Sequence, residues 1–161
     1  MRKDEKIKKL NNKGFSLVEI IIVIAIMAIL AGALAPQLFK YIDKSRKAAD
    51  IQIAQTIATA VNTALAEESS YDSAVSTKLS ECYKADIDGN NRNAFQKKIK
   101  EILGGNDAPK PKYNVKTYKD FWIEVNQVDK SFQIFVGDAK PTSTDDEKDL
   151  ILYPTVGENY K

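Results

Sequence analysis

The chain has 161 residues, of which 43% are apolar and 29% are charged, a composition typical of one folded domain with an appendage. It contains no histidine, which excludes triads of a nucleophile with histidine and the common zinc sites with imidazole ligands. The single cysteine, Cys82, excludes an intrachain disulfide, and no glycine pattern matches a phosphate-binding loop. We therefore expect a protein that is not an enzyme and that needs no cofactor.

The charge is distributed unevenly along the chain. Residues 1–14 contain six basic and two acidic residues, whereas residues 15–161 contain 18 basic and 20 acidic residues. The longer segment is therefore slightly acidic and lacks the basic surface that nucleic-acid binding requires. We predict no nucleic-acid partner.

Residues 15–35 form an apolar run, FSLVEIIIVIAIMAILAGALA, in which Glu19 is the one charged residue. As an α-helix, this run spans about 30 Å, which is the thickness of the hydrocarbon core of a bilayer. The basic residues before it should stay in the cytoplasm, so that the rest of the chain faces outward. The sequence predicts a single-pass membrane anchor.

A cleaved secretory signal is an alternative interpretation of the same run. Residues 33–35, Ala-Leu-Ala, have the small-x-small form of a signal peptidase site. Against this, the run is longer than a normal signal core, and Pro36 would directly follow the cut. An anchor that is never cleaved is a second alternative.

From Pro36 to Ala66 the pattern remains helical but becomes amphipathic. One side collects the apolar and small residues Leu38, Phe39, Ile42, Ala49, Ile53, Ile57, Ala60, Val61 and Ala64. We therefore predict one long helix over residues 15–66, with a membrane half at 15–35 and an amphipathic half at 36–66.

Pro36 lies inside this predicted helix. Proline cannot donate the hydrogen bond to the carbonyl of Gly32 and crowds the preceding turn. We expect a kink or a locally unwound stretch between Gly32 and Pro36.

Arg46 and Asp50 interrupt the apolar side of the helix one turn apart. They could form an exposed ion pair within the chain, worth a few tenths of a kcal/mol. They could instead contact a neighbouring subunit.

Residues 67–161 should form a globular head. A short helix is predicted at residues 93–103, with Phe95, Ile99, Ile102 and Leu103 facing inward and Gly104 and Gly105 ending it. Strands are predicted at residues 113–118, 121–128, 131–136 and 150–153, with polar loops at 106–112 and 137–149 and a hairpin turn at Asp129–Lys130. The predicted fold class is α+β, with the amphipathic half of the long helix covering an antiparallel sheet.

Two acidic segments resemble cation sites only in part. In residues 86–91 Asn91 occupies the glycine position of a calcium loop, and Lys97 stands where its bidentate glutamate should be. The acidic run of Asp145, Asp146, Glu147 and Asp149 is better explained as a solvated loop. We predict no metal site, and we interpret Cys82 as a small core residue.

The segment Lys13-Gly14-Phe15-Ser16-Leu17-Val18-Glu19, placed between a basic leader and an apolar helix, resembles the type III signal of type IV pilins. The resemblance implies that a prepilin peptidase cuts after Gly14 and N-methylates Phe15, so that residues 1–14 are a cleaved leader. It implies that Glu19 attracts the amino terminus of a neighbouring subunit. It also implies the pilin fold, and helix melting near Pro36 in assembled pili.

The resemblance implies a structural subunit of a type IV pilus, which acts in adhesion, motility, aggregation or biofilm growth. Its partners would be the membrane before assembly, the prepilin peptidase, the assembly platform with its ATPases, and other copies of itself in an extracellular filament. One alternative is a pseudopilin of a type II secretion or DNA-uptake system. Another is an anchored, exported binding domain that does not polymerise.

Overall fold

The computed structural model describes residues 14–84 and 92–161, without the side chains of Thr144, Asp146 and Glu147. The predicted leader up to Lys13 and the acidic turn at residues 86–91 therefore lie outside the described residues. The chain divides into two compact units, one ending at Tyr41 and one beginning at Ile42.

One long first helix is followed by short helices and short strands. In chain order they are α1 Leu17–Leu65, α2 Glu68–Asp72, β1 Thr77–Lys78, α3 Leu79–Tyr83, α4 Ala94–Leu103, β2 Phe121–Val125, β3 Phe132–Val136, α5 Thr144–Leu150, β4 Ile151–Tyr153 and a 3-10 helix Glu158–Tyr160. The predicted α+β architecture, a long N-terminal helix followed by an antiparallel sheet, is confirmed.

Helix α1 has 49 residues and continues through Pro36 without a break. The unwound stretch expected near Gly32 is thus not present in this structure, and melting inside a filament stays a prediction. In the second unit its buried side chains share one stripe: Asp50, Ala54, Ile57, Ala58, Ala60, Val61 and Ala64. Leu38, Phe39 and Ile42, which were predicted to continue this stripe, are exposed.

The four strands form one antiparallel sheet in the order β1-β2-β3-β4. Strands β2 and β3 pair along their whole length, from Phe121 opposite Val136 to Val125 opposite Phe132. Their alternate residues point to one face, where Ile123 and Ile134 join the stripe of α1 in a single core. Phe95 and Ile99 of α4 complete that core, while Ile102 is exposed, contrary to its predicted inward position.

Residues 113–118 were predicted as a strand, and this prediction is wrong. They form a turn in which Asn114 has a positive φ of 48°. The carbonyl of Asn114 accepts hydrogen bonds from the N–H groups of Thr117 and Tyr118, at 2.9 and 3.0 Å. The backbone is therefore committed to a local turn and cannot join the sheet ladder.

Two other boundaries differ from the sequence prediction. Strand β2 ends at Val125, because the Asn126 side chain accepts the N–H of Val128 and starts the hairpin turn. Part of the predicted loop at 137–149 is helical, since α5 begins at Thr144. Its last turn lies against Gly157, where a Cβ atom would stand 2.5 Å from the carbonyl oxygen of Lys148.

Asp50 connects three distant parts of the second unit. Its carboxylate is fully buried and accepts the backbone N–H groups of Lys112 at 2.6 Å and Tyr113 at 3.0 Å. The Tyr160 hydroxyl donates to the same carboxylate at 3.4 Å, and its ring meets the Tyr113 ring edge-on. A buried carboxylate is tolerated here because its oxygen atoms have donors.

We expect Asp50→Ala to lower the free energy of unfolding by about 3 kcal/mol, because two backbone N–H groups lose a charged acceptor. Chemical unfolding of the full chain in detergent measures the change. Asp43→Ala removes an exposed carboxylate from the same helix, and we expect it to change stability by less than about 0.5 kcal/mol. Equal effects of the two substitutions would contradict the role of Asp50.

A fragment that begins near Phe39 should be soluble and monomeric, because the core of the second unit is complete without the preceding apolar run. Size-exclusion chromatography without detergent tests this, with the full chain as the comparison. Aggregation of the fragment would mean that the stripe on α1 needs a partner outside its own chain.

Candidate processing and assembly site

The predicted cleavage residues lie just outside α1. Gly14, Phe15 and Ser16 precede the first helical residue, Leu17, and all three are exposed. No described atom lies within 4 Å of the position that a Cβ on Gly14 would occupy, and Phe15 is 84% exposed. The Gly14–Phe15 bond is therefore non-helical and exposed among the described residues, as suits a peptidase substrate.

The Glu19 side chain caps the start of α1. Its Oε2 atom accepts the backbone N–H of Ser16 at 2.7 Å. Since Glu19 is three residues after Ser16, this is the glutamate half of a capping box, which satisfies one of the free N–H groups at the helix end. A negative charge in the first turn also suits the helix dipole.

The sequence interpretation missed this capping role of Ser16 and Glu19. The signal was present, because Ser-x-x-Glu before an apolar run is a normal helix start. The structure thus gives Glu19 a partner within its own chain, in addition to the partner that the resemblance implies.

The apolar run after Ser16 is not buried by the residues that the structure describes. Its side chains are exposed, from Leu17 at 77% to Leu34 at 63%, and none of the described residues before Tyr41 is fully buried. In the described part of the chain, α1 is long and apolar enough to cross a membrane. A surface of this size in a soluble protein normally marks an interaction with lipid or protein.

The structure does not pair Arg46 with Asp50. These two residues were predicted to form an ion pair within the chain or a contact with a neighbouring subunit. Asp50 is buried and bound to its own chain, so its carboxylate is not on the surface. Arg46 instead approaches Asp43 at 3.9 Å, and both side chains are more than half exposed. A contact of Arg46 with a neighbouring subunit stays a prediction.

Among the described residues, no three acidic, cysteine or histidine side chains come together as a metal site. The calcium-like turn at 86–91 lies outside these residues, as do the side chains of Asp146 and Glu147. Cys82 is fully buried, and burial raises the pKa of its thiol to about 12. This thiol is therefore inert at neutral pH, as expected for a core residue.

Residues 9–35 match the family described as the prokaryotic N-terminal methylation motif. The match includes Gly14, Phe15, Glu19, Gly32 and the apolar run, and it ends just before Pro36. No curated protein and no solved structure matches the chain. The motif is the signal of type IV prepilins, and it indicates a precursor of the type IV pilin or pseudopilin kind.

Proposed function

We propose that the chain is the precursor of a structural subunit of a type IV pilus. A prepilin peptidase cuts it after Gly14 and methylates the new amino group of Phe15. The mature subunit waits in the membrane and then joins an extracellular filament. The observation that carries the proposal is the methylation motif, which includes an apolar helical segment that the described residues leave exposed.

The exposed apolar helix supplies the driving force for polymerisation. Between Phe15 and Leu34 it carries 13 large apolar side chains that are at least 46% exposed. Each is worth roughly 1.5 to 3 kcal/mol when it is fully buried, so the helix cannot leave the lipid unless another apolar surface replaces it. Other copies of the same helix provide that surface.

A repeated head-to-tail contact between such helices generates an open helical filament and not a closed ring. The assembly platform and its ATPases would supply the work of extraction. A pseudopilin would use the same contact in a short filament within a secretion or DNA-uptake machine. The abundance of the chain in sheared surface filaments distinguishes the two, because a pilus subunit dominates such material.

The mature protein should begin at Phe15 and carry one added methyl group on its terminal nitrogen. Intact-mass spectrometry of the membrane and filament fractions tests this. Gly14→Leu should leave an uncut precursor, because a small residue is required at the cut, whereas Gly14→Ala should still be processed. A mature terminus at Met1 or Pro36 would show that the apolar run is a plain anchor or a secretory signal.

Glu19→Leu should insert and be cleaved normally but give few filaments in a strain without another pilin. The reason is that the proposed partner of its carboxylate, the amino group of Phe15 on the next subunit, would stay unpaired in an apolar environment. Glu19→Gln serves as the matched variant, since its amide oxygen can still accept the Ser16 N–H while the charge is lost.

We expect an intermediate filament yield from Glu19→Gln, measured by quantifying sheared filaments. A full wild-type yield from Glu19→Gln, with a loss only in Glu19→Leu, would mean that Glu19 acts by capping its own helix. A wild-type yield from Glu19→Leu would exclude both roles.

A further inference from the structure

Two segments of the second unit are strongly basic. Residues 42–47 and 107–119 together contain seven basic and two acidic residues. The rest of the segment 42–161 contains 10 basic and 17 acidic residues. The two basic segments are about 60 residues apart in the sequence, so only the fold can combine them.

The fold brings them together through Asp50 and Tyr113. Asp50 of α1 holds the backbone of Lys112 and Tyr113, and the Lys47 Nζ atom lies 4.9 Å from the centre of the Tyr113 ring. An open groove of about 440 Å³ is lined by Asp43 and Arg46 on α1 and by Lys116 on the turn. We call Arg46, Lys47, Lys112 and Lys116 the basic face.

The described residues of the chain leave most of the charge of this face unpaired. Among them, Arg46 has a weak, exposed contact with Asp43, and Asp50 is occupied by backbone donors. In the described part of the chain, no carboxylate lies within ion-pair distance of Lys112 or Lys116. Val115, which lines the groove, is 56% exposed and adds an apolar side chain among the cations.

We propose that the basic face binds the anionic headgroups of the membrane that holds the unassembled subunit. This inference rests on the proposed function, in which the precursor is anchored in the membrane. Arg46 follows Ala35, the last residue of the apolar run, by only eleven residues, so an anchored chain keeps this face within reach of the headgroups. The intervening Phe39, Lys40 and Tyr41 are residue types that favour the membrane interface.

An anionic bilayer fits this face better than a second copy of the chain does. Several exposed or half-buried acidic residues of the second unit are already paired with lysines, as in Glu81 with Lys84, Glu67 with Lys98, Glu124 with Lys140 and Glu158 with Lys161. A second copy therefore offers partly neutralised carboxylates and one short acidic run at residues 145–149. A bilayer with anionic lipids offers a dense, continuous layer of negative charge.

The consequence is that electrostatic binding to the headgroups helps to retain the subunit in the membrane before assembly. Each basic residue near an anionic surface strengthens binding by a factor of about five. Extraction into a filament must then release the face from the headgroups as well as the apolar helix from the lipid. Membrane lipid composition would thereby affect the supply of subunits.

Lysine acetylation footprinting of the full chain in vesicles tests the proposal. The protein is inserted either into zwitterionic vesicles or into vesicles with about one third anionic phospholipid, and acetylation at each lysine is followed by mass spectrometry. We expect acetylation of Lys112 and Lys116 to be at least fivefold slower in the anionic vesicles. Lys84 and Lys161, which are exposed elsewhere on the unit, provide internal controls.

Raising the salt to about 1 M should abolish the difference, because the Debye length falls to about 3 Å. The double variant Arg46→Gln with Lys47→Gln should reduce the protection of Lys112 and Lys116. Lys84→Gln with Lys161→Gln, which removes the same charge elsewhere, should leave it unchanged.

Equal acetylation of Lys112 and Lys116 in both kinds of vesicle would overturn the proposal. Protection that follows the density of protein in the vesicles, and not their lipid charge, would also overturn it in favour of contact with a second copy. Flotation of the vesicles checks the anchor separately. A chain that does not float with them would overturn the proposed function together with this inference.

Discussion

The apolar half of α1 needs a covering surface that the described residues of its chain do not supply. From Leu17 to Leu34 its large side chains remain at least 46% exposed. Lipid can cover them in one state and other apolar helices can cover them in another. A short non-helical segment, Gly14 to Ser16, precedes the helix, and the cut that we propose after Gly14 would leave the helix intact.

The same helix serves a different purpose in the second unit. There the apolar surface of the helix is limited to one stripe, in which four alanines alternate with Ile57 and Val61. All of these side chains except that of Ala60 share one core with β2 and β3. Asp50, at the start of this stripe, adds a polar fixed point that holds the turn beginning at Lys112 and the C-terminal Tyr160. Burial next to this carboxylate raises the pKa of Tyr160, which keeps its hydroxyl protonated and able to donate. The basic face exists because this one carboxylate draws the turn onto the helix.

The sequence predicted the elements that depend on periodicity and local capping. Helix α4 begins at its Asn93 cap, which forms a capping box with Gln96, and β2 and β3 follow the alternation of their apolar residues. It failed where a distant group decides the outcome. Residues 113–118 look like a strand, but Asp50 takes the N–H of Tyr113, and Asn114 adopts a left-handed conformation that an apolar pattern does not reveal. Helical spacing suggested that Asp50 pairs with Arg46. It could not reveal the backbone N–H groups that donate to Asp50, because they lie about 60 residues away in the sequence. The methylation motif was predictable, since its residues are contiguous; cleavage after Gly14 stays a prediction.

Glu19 and Asp50 are two carboxylates on one helix, and each needs hydrogen-bond donors for its charged oxygen atoms. Both accept backbone N–H groups, which are fixed in place and cannot rearrange as side chains do. Asp50 has three donors and is sealed from solvent, so its bonds are permanent in the folded unit. Among the described residues Glu19 has one donor, the N–H of Ser16, and it is exposed. A carboxylate accepts several hydrogen bonds, so Glu19 keeps capacity for a further, charged donor. Cleavage after Gly14 would create such a donor two residues from the helix start, and thereby join proteolysis to assembly through a single side chain.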